Sequence, residues 1–165
     1  MFPLSLWRPL GVVLLLAAAP DLAARRPSVT PVDIELATGL HGVRLVPPTT
    51  IGAVPGRDNY ADGSGRVVLW FQDMNAAGFG RAKTQPAKAM NGIEIEPKLF
   101  HAAVAGLGDE AFEGPAGKLQ YALYVRKGQD AFGLIANITA SPRGDRPAVT
   151  MDQLKMLAMA VLSRM

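Results

Sequence analysis

LQYALYVRKGQDAFGLIANI, residues 119–138, is the stretch that decides the fold. Leu119, Tyr121, Leu123 and Val125 alternate with Gln120, Ala122, Tyr124 and Arg126, the period of a half-buried strand. Phe132, Leu134, Ala136 and Ile138 repeat the pattern after the break. Arg126–Asp130 lies between the two runs and reads as a loop of hairpin length. Two alternating runs joined this closely predict an antiparallel hairpin. A hairpin of this kind places an antiparallel sheet at the heart of the domain.

Upstream of the hairpin stands VAGLGDEAFEG (104–114), rich in glycine and carboxylates. Gly106, Gly108 and Ala111 match the G-x-G-x-x-A spacing of a dinucleotide loop. Gly114-Pro115 follow too soon for a useful phosphate-binding helix to start. The box therefore reads as a glycine-permitted bend, with Asp109 bonding local backbone and Ala111 and Phe112 delivered to the core. IEIEP (93–97) alternates like a strand, KLFHAAVA (98–105) fits strand or helix and is read as extended chain entering the box, and 84–92 is the least ordered internal stretch.

Further toward the N-terminus, VVLWF (67–71) is apolar on both faces, which predicts a central strand covered on both sides. Asp62-Gly-Ser-Gly65 forms the turn that feeds it. HGVRLVPP (41–48) reads as a short strand stopped by two prolines. Three helices complete the layout. The first runs through 30–40, with Thr30 as N-cap, Pro31 in the first helical position, Asp33 completing the cap signal and Gly39 at the end. Asn75 caps a second through about Lys83, weakened by Gly78 and Gly80. The third, opened by the Thr150/Gln153 capping box, sets Met151, Leu154, Ala158, Val161, Leu162 and Met165 on one stripe. This order predicts an α+β fold, an antiparallel sheet with helices packed on it as a two-layer sandwich, in a single domain over 25–165.

The first 24 residues have the layout of a secretory signal peptide. Arg8 gives a positive start, Leu10–Ala19 is an apolar run, and Leu22 and Ala24 fit the positions before a cut. The run falls short of the ~20 residues of a spanning helix, so no membrane span is expected after cleavage; retention as an anchor is the alternative. Cleavage leaves about 140 residues, enough for one core. The chain has no cysteine, which excludes disulfides, thiolate nucleophiles, cysteine-bound metal and an N-terminal lipidated cysteine. Export without disulfides points to a bacterial periplasmic or secreted protein. The net charge of +3 is spread out, with no block of five like charges, so no nucleic-acid footprint is present.

Other motifs were weighed against simpler readings. Asp58 to Gly63 looks like the start of a calcium loop, but Tyr60 and Leu69 fall where ligands belong, so neither metal nor cofactor is expected. Asn137-Ile138-Thr139 is a formal sequon inside a strand. His41 and His101 lack the context of a zinc or nucleophile motif. Arg126 and Lys127, beside Tyr124 at the hairpin tip, are the candidate binding residues for a phosphate or an acidic partner.

Four motifs in fixed order resemble those of uncharacterised small exported bacterial proteins: ATGL (37–40), a GxGDEAF box (106–112), an LYVRKG hairpin (123–128) and a closing helix over 149–158. The box and hairpin are also loosely similar to those of actinobacterial lipoproteins and extracellular sensor domains. The resemblance spans most of 30–165 and implies an exported α+β domain. It carries over no activity and no site residue. The expected function is thus a non-catalytic binding or accessory domain of the bacterial envelope, its partner an envelope protein or a small ligand. The alternative is a small periplasmic hydrolase using His41 or His101 with a carboxylate.

Overall fold

The computed structural model describes residues 26–85, 87–88, 94–95, 101–117, 120–137 and 148–165. The signal-like segment, Leu119, Ile138 and the loop read over 141–147 lie outside them. Among the described residues the chain order is α1 (Pro31–Thr38), β1 (Arg44–Val46), β2 (Asp58–Ala61), β3 (Val67–Asn75), α2 (Ala76–Thr84), β4 (Ala87–Lys88), β5 (Glu94–Ile95), β6 (Ala102–Ala103), β7 (Glu110–Gly117), β8 (Gln120–Lys127), β9 (Asp130–Asn137) and α3 (Met151–Leu162). Seven strands form one sheet in the order β1-β2-β3-β9-β8-β7-β6, and β4 pairs with β5 apart from it. Every pairing is antiparallel. The molecule is a single α+β domain with helices packed on the sheet.

The β8–β9 hairpin brings the two expected apolar faces together, with Leu123 opposite Leu134 and Val125 opposite Phe132. Its loop is shorter than the sequence suggests. Lys127 pairs with Asp130, leaving only Gly128 and Gln129 to turn the chain. Gly128 has φ +62°, which a two-residue turn opening on glycine requires. Of the stretch 84–92, read as the least ordered, residues 86 and 89–92 lie outside the described residues, and Ala87–Lys88 form β4.

One face of the sheet carries α1 and α3. Val68, Leu69, Phe71, Leu123, Val125, Phe132 and Leu134 meet Ile34, Leu154, Leu157 and Val161 there. Leu157 joins the stripe foreseen for the last helix, while Met156 and Met159 point outward. α1 and α3 are tied at both ends in antiparallel fashion. Gln153 Nε2 donates to the Thr38 carbonyl at 3.3 Å, and Arg164 grips the Asp33 carboxylate at 2.9 and 3.1 Å. Capping boxes open both helices, at Thr30/Asp33 and Thr150/Gln153. The residue before each cap is a buried valine whose carbonyl accepts a tyrosine hydroxyl from the sheet: Tyr60 to Val29 at 2.7 Å, and Tyr121 to Val149.

The opposite face is also covered, by α2 and the 47–57 segment. Trp70, Phe79, Phe112, Tyr124 and Ile135 form its apolar cluster. This explains two features of the sequence. β3 is apolar on both faces because it lies inside the sheet with cover above and below. β8 is buried at Ala122 and Tyr124 too, so its alternation distinguishes two cores rather than core from solvent. A bulge places the β3 side chains: Tyr60 faces Leu69 and Ala61 faces Val67, leaving Val68 as the extra residue. Val67 then joins one core, and Val68 and Leu69 the other.

Candidate functional site

Arg126 and Lys127 are engaged within the fold. The Arg126 guanidinium lies 3.3 Å from Glu110 Oε2 and 3.9 Å from Asp109 Oδ2, with Cζ 6.0 Å from the Phe79 ring centre. Lys127 Nζ donates to the Leu162 carbonyl at 3.3 Å, at the negative end of α3. The glycine–acid box is the counterpart of this tip. Asp109 N–H donates to the Arg126 carbonyl at 2.8 Å, and Asp109 Oδ2 accepts from the Gly128 N–H at 2.7 Å. Glu110 bridges Lys83 of α2 and Arg126. The Lys83 hydrogen bond, with help from Arg126, holds the Glu110 carboxyl below its ordinary range. The box thus latches α2, β7 and the hairpin tip together.

Asp62 is occupied in the same sense. Its carboxylate accepts from the Ser64 and Arg66 N–H groups and the Ser64 hydroxyl, and pairs with the Arg66 guanidinium at 3.0 Å. These partners close the turn through the carboxylate. His41 is exposed, and its carbonyl accepts from the Gly63 N–H at 2.9 Å. His101 Nδ1 lies 2.9 Å from the Lys83 carbonyl. A carbonyl only accepts, so Nδ1 carries the proton. Its ring packs 4.7 Å from that of Phe112. Among the described residues neither histidine contacts a carboxylate, and no three His, Asp or Glu side chains gather as metal ligands.

A polar row on the α2 face has a different character. Asp58 pairs with Phe71, which sets Arg57, one residue earlier, opposite Gln72. Gln72 pairs with Gly133, Gly133 with Tyr124, and Tyr124 with Phe112. Gln72, Gly133 and Tyr124 therefore occupy one line across three strands, and Arg57, in the bend just before β2, stands at its end. Neighbouring strands stand about 4.8 Å apart, so Arg57 and Tyr124 start about 14 Å apart at opposite ends of the row, and the Tyr124 ring tilts along it. Gly133 makes room for this: a Cβ there would stand 2.9 Å from Tyr124 Cε1, because the ring leans over the glycine. The stacked Phe112 ring, 4.8 Å away, backs Tyr124 from the other side.

Arg57 is set in place by the buried Asn59. Asn59 Oδ1 accepts from the Val54 N–H at 2.6 Å, and Nδ2 donates to the carbonyls of Val54 and Arg57 at 3.2 and 2.8 Å. Trp70 Nε1 fastens the same segment through the Gly52 carbonyl at 3.1 Å. Burial pulls the Arg57 guanidinium below its ordinary range, and the nearest opposing influence is Tyr124. Burial likewise pushes the Tyr124 phenol up, with Arg57 acting in the other direction, so the phenol keeps its proton at neutral pH. Among the described residues the side chains of Arg57, Gln72 and Tyr124 make no hydrogen bond or ion pair. Among the described residues Glu113 Oε2 is the one fully enclosed side-chain polar atom without a hydrogen bond, so the unmatched polar atoms of this row retain access to solvent. A guanidinium, an amide and a phenol without hydrogen-bond partners among the described residues thus share one row on the sheet.

Sequence reasoning did not single out this row. Its members are 67 residues apart in the chain, and only the strand register brings them together. The one local signal was Tyr124, an aromatic on the strand face that alternation had marked as polar. A separate hollow of about 340 Å³ lies between the N-terminal lead-in and the C-terminus, lined by Arg26, Pro27, Ser28, Arg164 and Met165. Its Arg164 is already bound to Asp33 and to the Ser28 carbonyl. Set against protein-family models, curated proteins and solved structures, the chain has no significant match.

Proposed function

We propose that this protein is an exported, non-catalytic binding or accessory domain of the bacterial envelope, and that the Arg57–Gln72–Tyr124 row is its ligand-facing surface. One observation carries the reading: this row lines up a guanidinium, an amide and a phenol without partners, and among the described residues neither histidine contacts a carboxylate. Binding sites place a few polar groups on a preformed scaffold. Catalysis of acyl or phosphoryl transfer needs in addition a base within hydrogen-bond reach of a nucleophile. The signal-like layout of residues 1–24 supports export, and the lack of cysteine agrees with a bacterial envelope setting.

The test is capture of the tagged protein from envelope extracts, read by mass spectrometry of proteins and small molecules, alongside Arg57→Gln. The reading expects a companion that wild type retains and Arg57→Gln loses, without turnover of ester, amide or phosphoester substrates. Turnover abolished by His41→Ala or His101→Ala would replace it with the hydrolase reading.

A further inference from the structure

We infer that the Arg57–Gln72–Tyr124 row binds an oxyanion, the carboxylate or phosphate group of a small ligand. The inference rests on the reading of this row as the ligand-facing surface and names the chemistry that surface selects. All three side chains belong to one row on the sheet and each carries a donor: the Arg57 guanidinium, the Gln72 amide and the Tyr124 hydroxyl. Arg57 is half-buried and has no carboxylate partner among the described residues. By contrast, Arg66, Arg126 and Arg164 are each paired with an aspartate or glutamate. A partly desolvated guanidinium gains most from an anion that accepts two of its parallel N–H groups, and carboxylate and phosphate oxygens have that geometry. The Tyr124 phenol and Gln72 amide then supply donors to the remaining oxygen lone pairs. Gly133 lets the Tyr124 ring lean in from β8, and Asn59 fixes the backbone from which Arg57 reaches out. Both ends of the row are therefore held by the fold before a ligand arrives, which lowers the ordering left to do on binding.

The experiment is a titration of the isotope-labelled protein at pH 7 and constant ionic strength with sodium phosphate and, separately, sodium acetate. The nuclear magnetic resonance signals followed are Arg57 Nε–H, the Gln72 side-chain amide and the Tyr124 backbone amide. Saturable shifts are expected at these groups. Affinity should fall about tenfold or more in Arg57→Gln and in Tyr124→Phe, each of which removes a donor to a charged acceptor. Tyr124→Phe keeps the ring stack and so separates lost binding from lost folding. Arg81→Gln, a change of equal charge on the exposed side of α2, should leave affinity unaltered. Tighter phosphate binding assigns a phosphate-bearing ligand, and tighter acetate binding a carboxylate. Shifts that fail to saturate, or equal affinity in wild type and both row variants, overturn the oxyanion assignment. If Arg57→Gln nevertheless loses a captured companion, the row remains the binding surface for another chemistry. If capture is also unchanged, both readings fall.

Discussion

Gly108 and Arg126 approach so closely that a Cβ on the glycine would stand 2.4 Å from the Arg126 carbonyl oxygen. Gly108 also holds φ at +59°. Replacement by alanine adds a left-handed backbone to a backbone clash, together worth about 2–5 kcal/mol. Gly106 has φ +79° but open space around it, so Gly106→Ala should cost only about 1 kcal/mol. Urea unfolding of the two variants checks this ordering. Equal midpoints would show that the hairpin tip is not latched through Gly108.

Phe112 tests the other half of the box. Its ring is 3% exposed and meets Phe79 at 5.1 Å, Tyr124 at 4.8 Å and His101 at 4.7 Å. Phe112→Ala should cost about 3–5 kcal/mol in chemical denaturation, as for other buried aromatic truncations. The Tyr124 ring would lose its stacking partner as well. Oxyanion affinity should therefore drop even where the protein is still folded, because the phenol is no longer held over Gly133.

These two residues also mark how far the sequence could be read. Features governed by local chemistry were legible: both capping boxes, the Asp62–Gly65 turn, the apolar faces of the hairpin and the bend at 105–109, though not the strand that begins at Glu110. Each depends on residues within a few positions of one another. The cover on the second sheet face was legible only at VVLWF, where apolar residues occupy both faces. At β8 the same cover was hidden, since Ala122, Tyr124 and Arg126 are amphipathic or small and fit either solvent or core. The binding roles expected of Arg126 and Lys127 came from their position at a tip. Their actual partners, Glu110 and the Leu162 carbonyl, lie 16 and 35 residues away. The Arg57 row was illegible for the same reason, being a product of register across three strands and the bend before β2.

All three tyrosines of the chain are buried or partly buried, and burial raises the pKa of each phenol. Tyr121 is pushed up to about 12. A free phenol is half ionised near pH 10. Absorbance at 295 nm should therefore show little tyrosinate at pH 10 in the folded protein and a sharp rise on unfolding. The folded state binds these protons more tightly than the unfolded state. Stability is thus unaffected below about pH 10 and lost as pH rises from there through the folded values. Ordinary tyrosine titration in the native protein would contradict the burial of the hydroxyls that hold Val29 and Val149.

Asn59 should behave as a positioning residue for Arg57. It is 1% exposed and satisfies backbone groups of Val54 and Arg57. Asn59→Ala leaves the Val54 N–H and carbonyl without these partners, at a cost of about 1–3 kcal/mol per buried group. Its effect on oxyanion affinity should exceed that of a control of equal destabilisation in α3, such as Val161→Ala. If the two variants lower affinity equally, Asn59 acts on stability alone.

Arg164 and Asp33 join the last turn of the chain to the first helix, and the acid limb of stability should report on them. Desolvation acts to raise the Asp33 carboxyl, but hydrogen bonds from Arg164 and Thr30 outweigh it and hold the group below its ordinary range. A carboxylate depressed in the folded state adds stability above its unfolded pKa, and that contribution is lost as pH falls through the folded value. Arg164→Ala removes the strongest favourable partner while leaving Asp33 in the same partly buried place. The Asp33 pKa, followed by carboxyl carbon chemical shift, should rise, and acid unfolding should begin at higher pH. The Thr30 hydrogen bonds remain in this variant, and Asp33→Asn in the same background removes the titrating group, so the acid sensitivity that Asp33 still contributes there should disappear. An unmoved Asp33 titration in Arg164→Ala would mean that the capping box alone sets this carboxyl, and that the α1–α3 clasp contributes only contact.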